Sequence, residues 1–121
     1  MSRNQRVGKW GEETACTYLV QHGYEIVARN VRTPYGEIDL VARSEGFTVF
    51  VEVKSRTSPF LGPPEIAVTT RKQKHMLACA AYYAQANAVD HWQIDVLAVQ
   101  RVGDRTEITH FENAIPPFDE L

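Results

Sequence analysis

The spacing of apolar and polar positions divides the chain into two helical and five extended stretches. Over residues 8–22, Glu12, Ala15, Cys16 and Leu19 share one helical face, and Gly23 stands where a helix would terminate. Residues 24–31 are rich in β-branched and aromatic side chains and end at the turn-like Thr33-Pro34-Tyr35-Gly36, which predicts a first strand. Two alternating runs, 37–43 and 48–55, flank Ser44-Glu45-Gly46-Phe47 and predict a hairpin. The proline-rich RTSPFLGPP at 56–64 reads as a loop. A second helix is predicted over 70–87, with a threonine N-cap and Gln73, Met76, Leu77, Ala80 and Ala84 on one face. Strands over 92–101 and 106–111, around a Val102-Gly103-Asp104 turn, complete the pattern. This order predicts an α/β domain with a mixed sheet and helices packed on it. One domain is expected over 1–121, with 1–7 and 114–121 as flexible tails.

Turn length fixes the hairpin register. A two-residue turn at Glu45-Gly46, or a four-residue turn over 44–47, pairs positions whose numbers sum to 91. Asp39 then faces Glu52 and Glu37 faces Lys54, while Ile38 meets Val53 and Leu40 meets Val51. Side chains two apart share a face, so this register predicts a buried apolar face and an unburied charged one, a separation that a one-residue slip would destroy.

Composition adds limits. A 121-residue chain with 44% hydrophobic residues can build one core. No stretch approaches the roughly 18 apolar residues of a membrane span, so the expectation is a cytoplasmic protein without a membrane partner. Cys16 and Cys79 lie among apolar residues, without the spacing of a zinc site, and read as buried thiols. The net charge of −2 argues against a purely electrostatic nucleic-acid binder, but its distribution is uneven. Residues 1–74 hold 11 Lys/Arg against 8 Asp/Glu, and residues 75–121 hold 2 against 7, so an anionic partner would be met by the first part.

The hairpin carries the chemistry. Opposed cross-strand residues have Cβ atoms about 5 Å apart, and like charges there are destabilising. A hard cation between Asp39 and Glu52 removes the conflict, and Mg²⁺ takes one or two carboxylates and completes its shell from water and phosphate. The Val53 carbonyl could add an oxygen. Lys54 would orient the attacking water and stabilise charge on a phosphorane-like transition state. Glu37 with Lys54 would serve equally well as a cross-strand ion pair. Glu12 lies on the inward face of the first helix, and an inward carboxylate needs a partner. Arg71, Lys72 and Lys74 surround Gln73 near a helix N-terminus, a phosphate-attracting arrangement for which a solvated basic turn is the alternative. Arg56 opens the loop that would face substrate. Asp95 has no assigned role, and His22, His91 and His110 lack ligand spacing and read as structural.

GEIDLV at 36–41 followed by FVEVKSR at 50–56 resembles the bipartite signature of the PD-(D/E)XK nuclease superfamily. Together with GKWGEETACTYL at 8–19, YEIVARNVR at 24–32 and the later Lys-rich helix, it is similar to the YraN-like family of predicted endonucleases, related to archaeal Holliday junction resolvases. The resemblance implies a restriction-endonuclease-like αβββαβ core, with Asp39 and Glu52 as ligands of Mg²⁺ or Mn²⁺ and Lys54 as catalytic lysine. It also implies Glu12 as the helix glutamate, DNA as substrate, branched or repair intermediates included, and a homodimer. Ile38 stands where the superfamily has proline, and Leu77 interrupts a Gln-x-x-x-Tyr pattern begun by Gln73, so Gln73 and Glu37 are accessory candidates only. The alternative is a non-catalytic nucleic-acid or protein-binding module that keeps the fold.

Overall fold

The computed structural model describes residues 1–57 and 68–116. The elements run α1 (Arg3–Gln21), β1 (Glu25–Thr33), β2 (Gly36–Ser44), β3 (Phe47–Arg56), α2 (Thr70–Ala86), β4 (Trp92–Val102) and β5 (Arg105–Phe111). The five strands form one sheet in chain order, antiparallel except for the parallel pair β3–β4, which α2 connects. This is an α/β fold with a mixed sheet flanked by helices, consistent with the restriction-endonuclease-like expectation.

Apolar residues of β3 alternate between two cores. Val49 and Val51 pack with Leu40, Leu97 and Val99 against Ala15, Cys16 and Leu19 of α1. Phe50 joins Ile38, Val41 and Ile94 against Cys79 and Ala80 of α2. Both sheet faces are therefore covered, and β4 is buried continuously from Ile94 to Gln100, as a strand between two layers must be. Both cysteines are free and buried.

The register follows the turn. Ser44 pairs with Phe47 and Leu40 with Val51, around Glu45 and Gly46, whose positive φ values of 50° and 83° match a tight hairpin turn. Two hairpin expectations change. Asp39 and Glu52 are partly buried, with Lys72 of α2 beside Glu52, while Glu37 stays exposed, and Ile38 and Leu40 enter different cores. Asn30, opposite Asp39, adopts φ +50° and is left out of the β1–β2 ladder, whose register is the same at Arg29–Leu40 and Val31–Ile38 and slips only between Ile26 and Ala28.

Parts of both expected tails, 3–7 and 114–116, carry structure, and 117–121 lie outside the described residues. Helix α1 begins at Arg3 because Ser2 and Gln5 form a capping box, with Ser2 Oγ accepting from Gln5 N–H at 3.1 Å and Gln5 Oε1 accepting from Ser2 N–H at 2.8 Å. Ile115 is buried in the α2-side core, and the Ala114 N–H donates to the Ile94 carbonyl at 2.8 Å. The loop expected at 56–64 lies outside the described residues beyond Thr57. Among the described residues no helix is long and apolar enough to cross a membrane.

Candidate metal centre

Beyond the Leu40–Val51 pair, β2 and β3 no longer share a regular ladder. The Val53 N–H donates instead to Asp39 Oδ2 at 2.9 Å, which fixes the carboxylate at the seam where the strands part. Glu52 reaches the same place from β3 with its side chain 18% exposed. Asp39 and Glu52 thus meet as the register predicts, although through side chains rather than a continued ladder. The Asp39 carboxyl is pushed up to about 7, first by burial, then by the charge of Glu52 and, further off, of Glu37, against the pull of the Val53 N–H.

Helix α1 adds a third carboxylate. Its inward face ends in Gly11 and Glu12, and the Glu12 pKa is raised by burial and then by Asp39 and Glu37. Asn30 joins the acids: with its amide NH₂ turned toward them, it donates to Glu12 Oε1 at 2.8 Å and to Glu37 Oε1 at 3.1 Å. The left-handed Asn30, unpaired in the ladder, is a residue that reading the sequence misses; its only signal is an Asn within a β-branched run.

The basic candidates divide. Lys54 is half-buried two residues beyond Glu52, opposite Ala98 of β4, and no carboxylate among the described residues lies within ion-pair distance of it. The alternative pairing of Glu37 with Lys54 does not form; Glu37 lies 3.9 Å from Arg32, its ladder partner on β1. Lys72 reaches from the first turn of α2 to 3.6 Å from Glu52 Oε1, so it belongs to the carboxylate cluster. Arg71 and Lys74 are exposed on the same turn, and Arg56 ends β3. Gln73 donates its amide to the Val68 carbonyl at 2.9 Å and so fastens the approach to α2.

A second polar cluster lies on the other side of the sheet. Asp95, fully buried, accepts from His110 Nε2 at 2.7 Å, Gln93 Nε2 at 2.8 Å and the Asn113 N–H at 2.9 Å. His110 Nδ1 lies 3.1 Å from the Tyr18 hydroxyl. Ligand atoms of Asp95, His110 and Glu112 fall within 4.8 Å of one another, a spacing that could hold a metal ion. Both imidazole nitrogens are already committed to protein partners, however, and the network ties β5 and α1 to β4. Burial, followed by Glu112 and Asp95, raises the Tyr18 hydroxyl pKa.

The donor set of the first cluster fits a hard cation. Glu12, Asp39 and Glu52 offer only oxygens, and among the described residues no imidazole or thiolate joins them; Asp39 repels Glu52 and Glu12, which a divalent ion would relieve, but the three do not bring their oxygens within 4.8 Å of one another as Asp95, His110 and Glu112 do.

The family model described as uncharacterised protein family UPF0102 matches residues 11–99, a span that runs from Gly11 on α1 to Val99 on β4 and includes all three carboxylates and Lys54. The chain belongs to the UPF0102 family. A UPF0102 protein of Syntrophotalea carbinolica is 44% identical over 110 residues, covering 89% of each chain. One from Geobacter metallireducens is 42% identical over 92% of this chain and 93% of its own. Another from Syntrophomonas wolfei is 41% identical over 92% and 98%. The resemblance drawn from the sequence thus holds at family level. UPF0102 is uncharacterised by its own description, so chemistry has to be argued from the site.

Proposed function

We propose that this UPF0102 chain is a divalent-metal-dependent endonuclease that hydrolyses DNA phosphodiester bonds, branched DNA included. The observation that carries the reading is the meeting of Asp39 from β2 and Glu52 from β3 at the strand seam, with Glu12 of α1 near enough to feel the charge of Asp39 and Lys54 two residues further along β3. Asp39 and Glu52 would hold Mg²⁺ or Mn²⁺, with Glu12 as a further oxygen donor, directly or through water. Once bound, the cation supplies Lewis-acid activation of water and neutralises phosphate charge.

The chain's own groups do the rest. Near neutral pH the metal-free Asp39–Glu52 pair is partly protonated, and that proton must leave for both carboxylates to act as ligands. The Val53 N–H and the Asn30 amide hold Asp39 and Glu12 in place, so little rearrangement is needed. The Lys54 ammonium, a donor only, can orient the incoming water or bond a non-bridging phosphate oxygen as negative charge builds there. Lys72 competes with a cation for Glu52 and would turn toward substrate phosphate when displaced.

The test is cleavage of linear, flapped, four-way and single-stranded DNA with Mg²⁺ or Mn²⁺, beside Asp39→Ala and Lys54→Ala proteins purified identically. The wild type is expected to cleave at least one substrate, and each substitution to reduce the rate by about 10²-fold or more. No cleavage by the wild type, or equal cleavage by the variants, would leave the non-catalytic binding module as the correct reading.

A further inference from the structure

A second surface, one to two turns along α1 from Glu12, has the chemistry of an anion site that the nuclease reading did not anticipate. Arg3, Arg6, Val7 and Trp10 of α1, Thr57 at the end of β3 and Arg101 of β4 line a cleft of about 290 Å³. Among the described residues, none of the three arginines pairs with a carboxylate. Three unneutralised guanidiniums lining one concavity repel each other and present fork-shaped donors suited to phosphate.

The groups are held rather than loosely displayed. The Arg101 guanidinium lies 5.1 Å from the centre of the Trp10 ring, a cation–π arrangement that leaves its N–H edges free to bond. Arg6 donates to the Met1 carbonyl at 2.9 Å, across the capped first turn of α1. The cleft is also placed usefully. Six residues of helix separate Arg6 from Glu12, about 9 Å, and three residues of strand separate Thr57 from Lys54, about 10 Å. Both paths put the cleft within about 10 Å of the carboxylate cluster, so one nucleic-acid strand can touch both.

We propose that the Arg3–Arg6–Arg101 cleft is a phosphate-binding site that grips the substrate strand beside the bond acted on at the carboxylate cluster. The identity of the strand rests on the nuclease reading; the affinity of the cleft for phosphate does not. Binding of fluorescent oligonucleotides, with and without a 5′-phosphate, is measured by anisotropy in EDTA over a series of salt concentrations, so that no cleavage intrudes. Replacing all three arginines by glutamine is expected to weaken binding about 10-fold or more at about 0.1 M salt, and to make the log–log salt dependence shallower by about 2 to 3.

The triple Arg→Lys protein keeps the charge and is expected to keep most of the slope. A loss confined to 5′-phosphorylated strands assigns the cleft to a terminal phosphate; an equal loss on both assigns it to the internal backbone. Arg101→Glu, a single surface change, gives the same direction of effect if the triple variant folds poorly. Wild-type affinity and slope in the glutamine and Arg101→Glu variants would overturn the proposal, even where the Mg²⁺ cleavage assay succeeds. Failure of the wild type to bind any oligonucleotide would overturn the strand assignment.

Discussion

Asp39 is pushed up first by burial and then by the close like charge of Glu52, and the two prevail over the N–H donor from Val53. Its folded pKa of about 7 lies above the ordinary 3.8, so between those values the folded state binds more protons than the unfolded chain. Metal-free protein should therefore lose stability as pH rises from about 4 to about 7, and Asp39→Asn should remove most of that slope. At pH 8 the variant is expected to be more stable than the wild type, by on the order of 1–2 kcal/mol in urea unfolding. A flat wild-type profile over this window would contradict the assignment. Asp95 is held instead by three donors. Asp95→Ala strands those donors inside the protein and should cost about 3–5 kcal/mol by the same measurement.

At the scale of elements, α1 reaches β3 through Gly11. A Cβ there would fall 1.7 Å from Ser55 Oγ and 2.7 Å from Ser55 Cβ, so rotating the hydroxyl away cannot relieve the clash. Gly11→Ala should push α1 off the sheet, destabilise the protein by about 1–3 kcal/mol as other overpacked cores do, and carry Glu12 away from Asp39. Gly11→Ala with Ser55→Gly should restore most of the loss; equal instability of single and double variants would refute the contact. The order of elements and the sum-of-91 register were legible because each rests on local spacing and one tight turn, and Leu40–Val51 pairs as expected. The partial burial of Asp39 and Glu52 was hidden, since nothing local says that Lys72 of α2 returns beside Glu52. The separation of Ile38 from Leu40 into different cores breaks the strict alternation from which the hairpin was read. The start of α1 was obscured because a basic stretch without apolar periodicity is helical through its cap. Glu12, Asp39, Glu52 and Lys54 could be chosen from type and spacing, whereas the Asp95–His110–Tyr18 network joins residues 15 and 92 positions apart, which no short window relates.

For the molecule as a whole, three carboxylates gathered between two cores are a local cost that ligand binding can reverse. Millimolar Mg²⁺ or Mn²⁺ should raise the melting temperature at pH 8 by several degrees, since a ligand present at about 100 times its Kd adds about 2.7 kcal/mol. EDTA should abolish the increment, and Asp39→Ala with Glu52→Gln should show none. An unchanged melting temperature in the wild type would argue against a resident cation. The same scan on Asp95→Ala should start lower and still respond, which separates the cluster proposed for the metal from the one that braces the sheet.

The Val53 amide has a use of its own. Its proton is bonded to a titrating side chain rather than to a strand carbonyl, so its ¹⁵N–¹H resonance should follow the state of Asp39 directly. That single cross-peak would move with pH as the carboxyl titrates and again when a cation draws charge from the oxygen. It offers a spectroscopic reading of site occupancy in solution that requires neither substrate nor turnover.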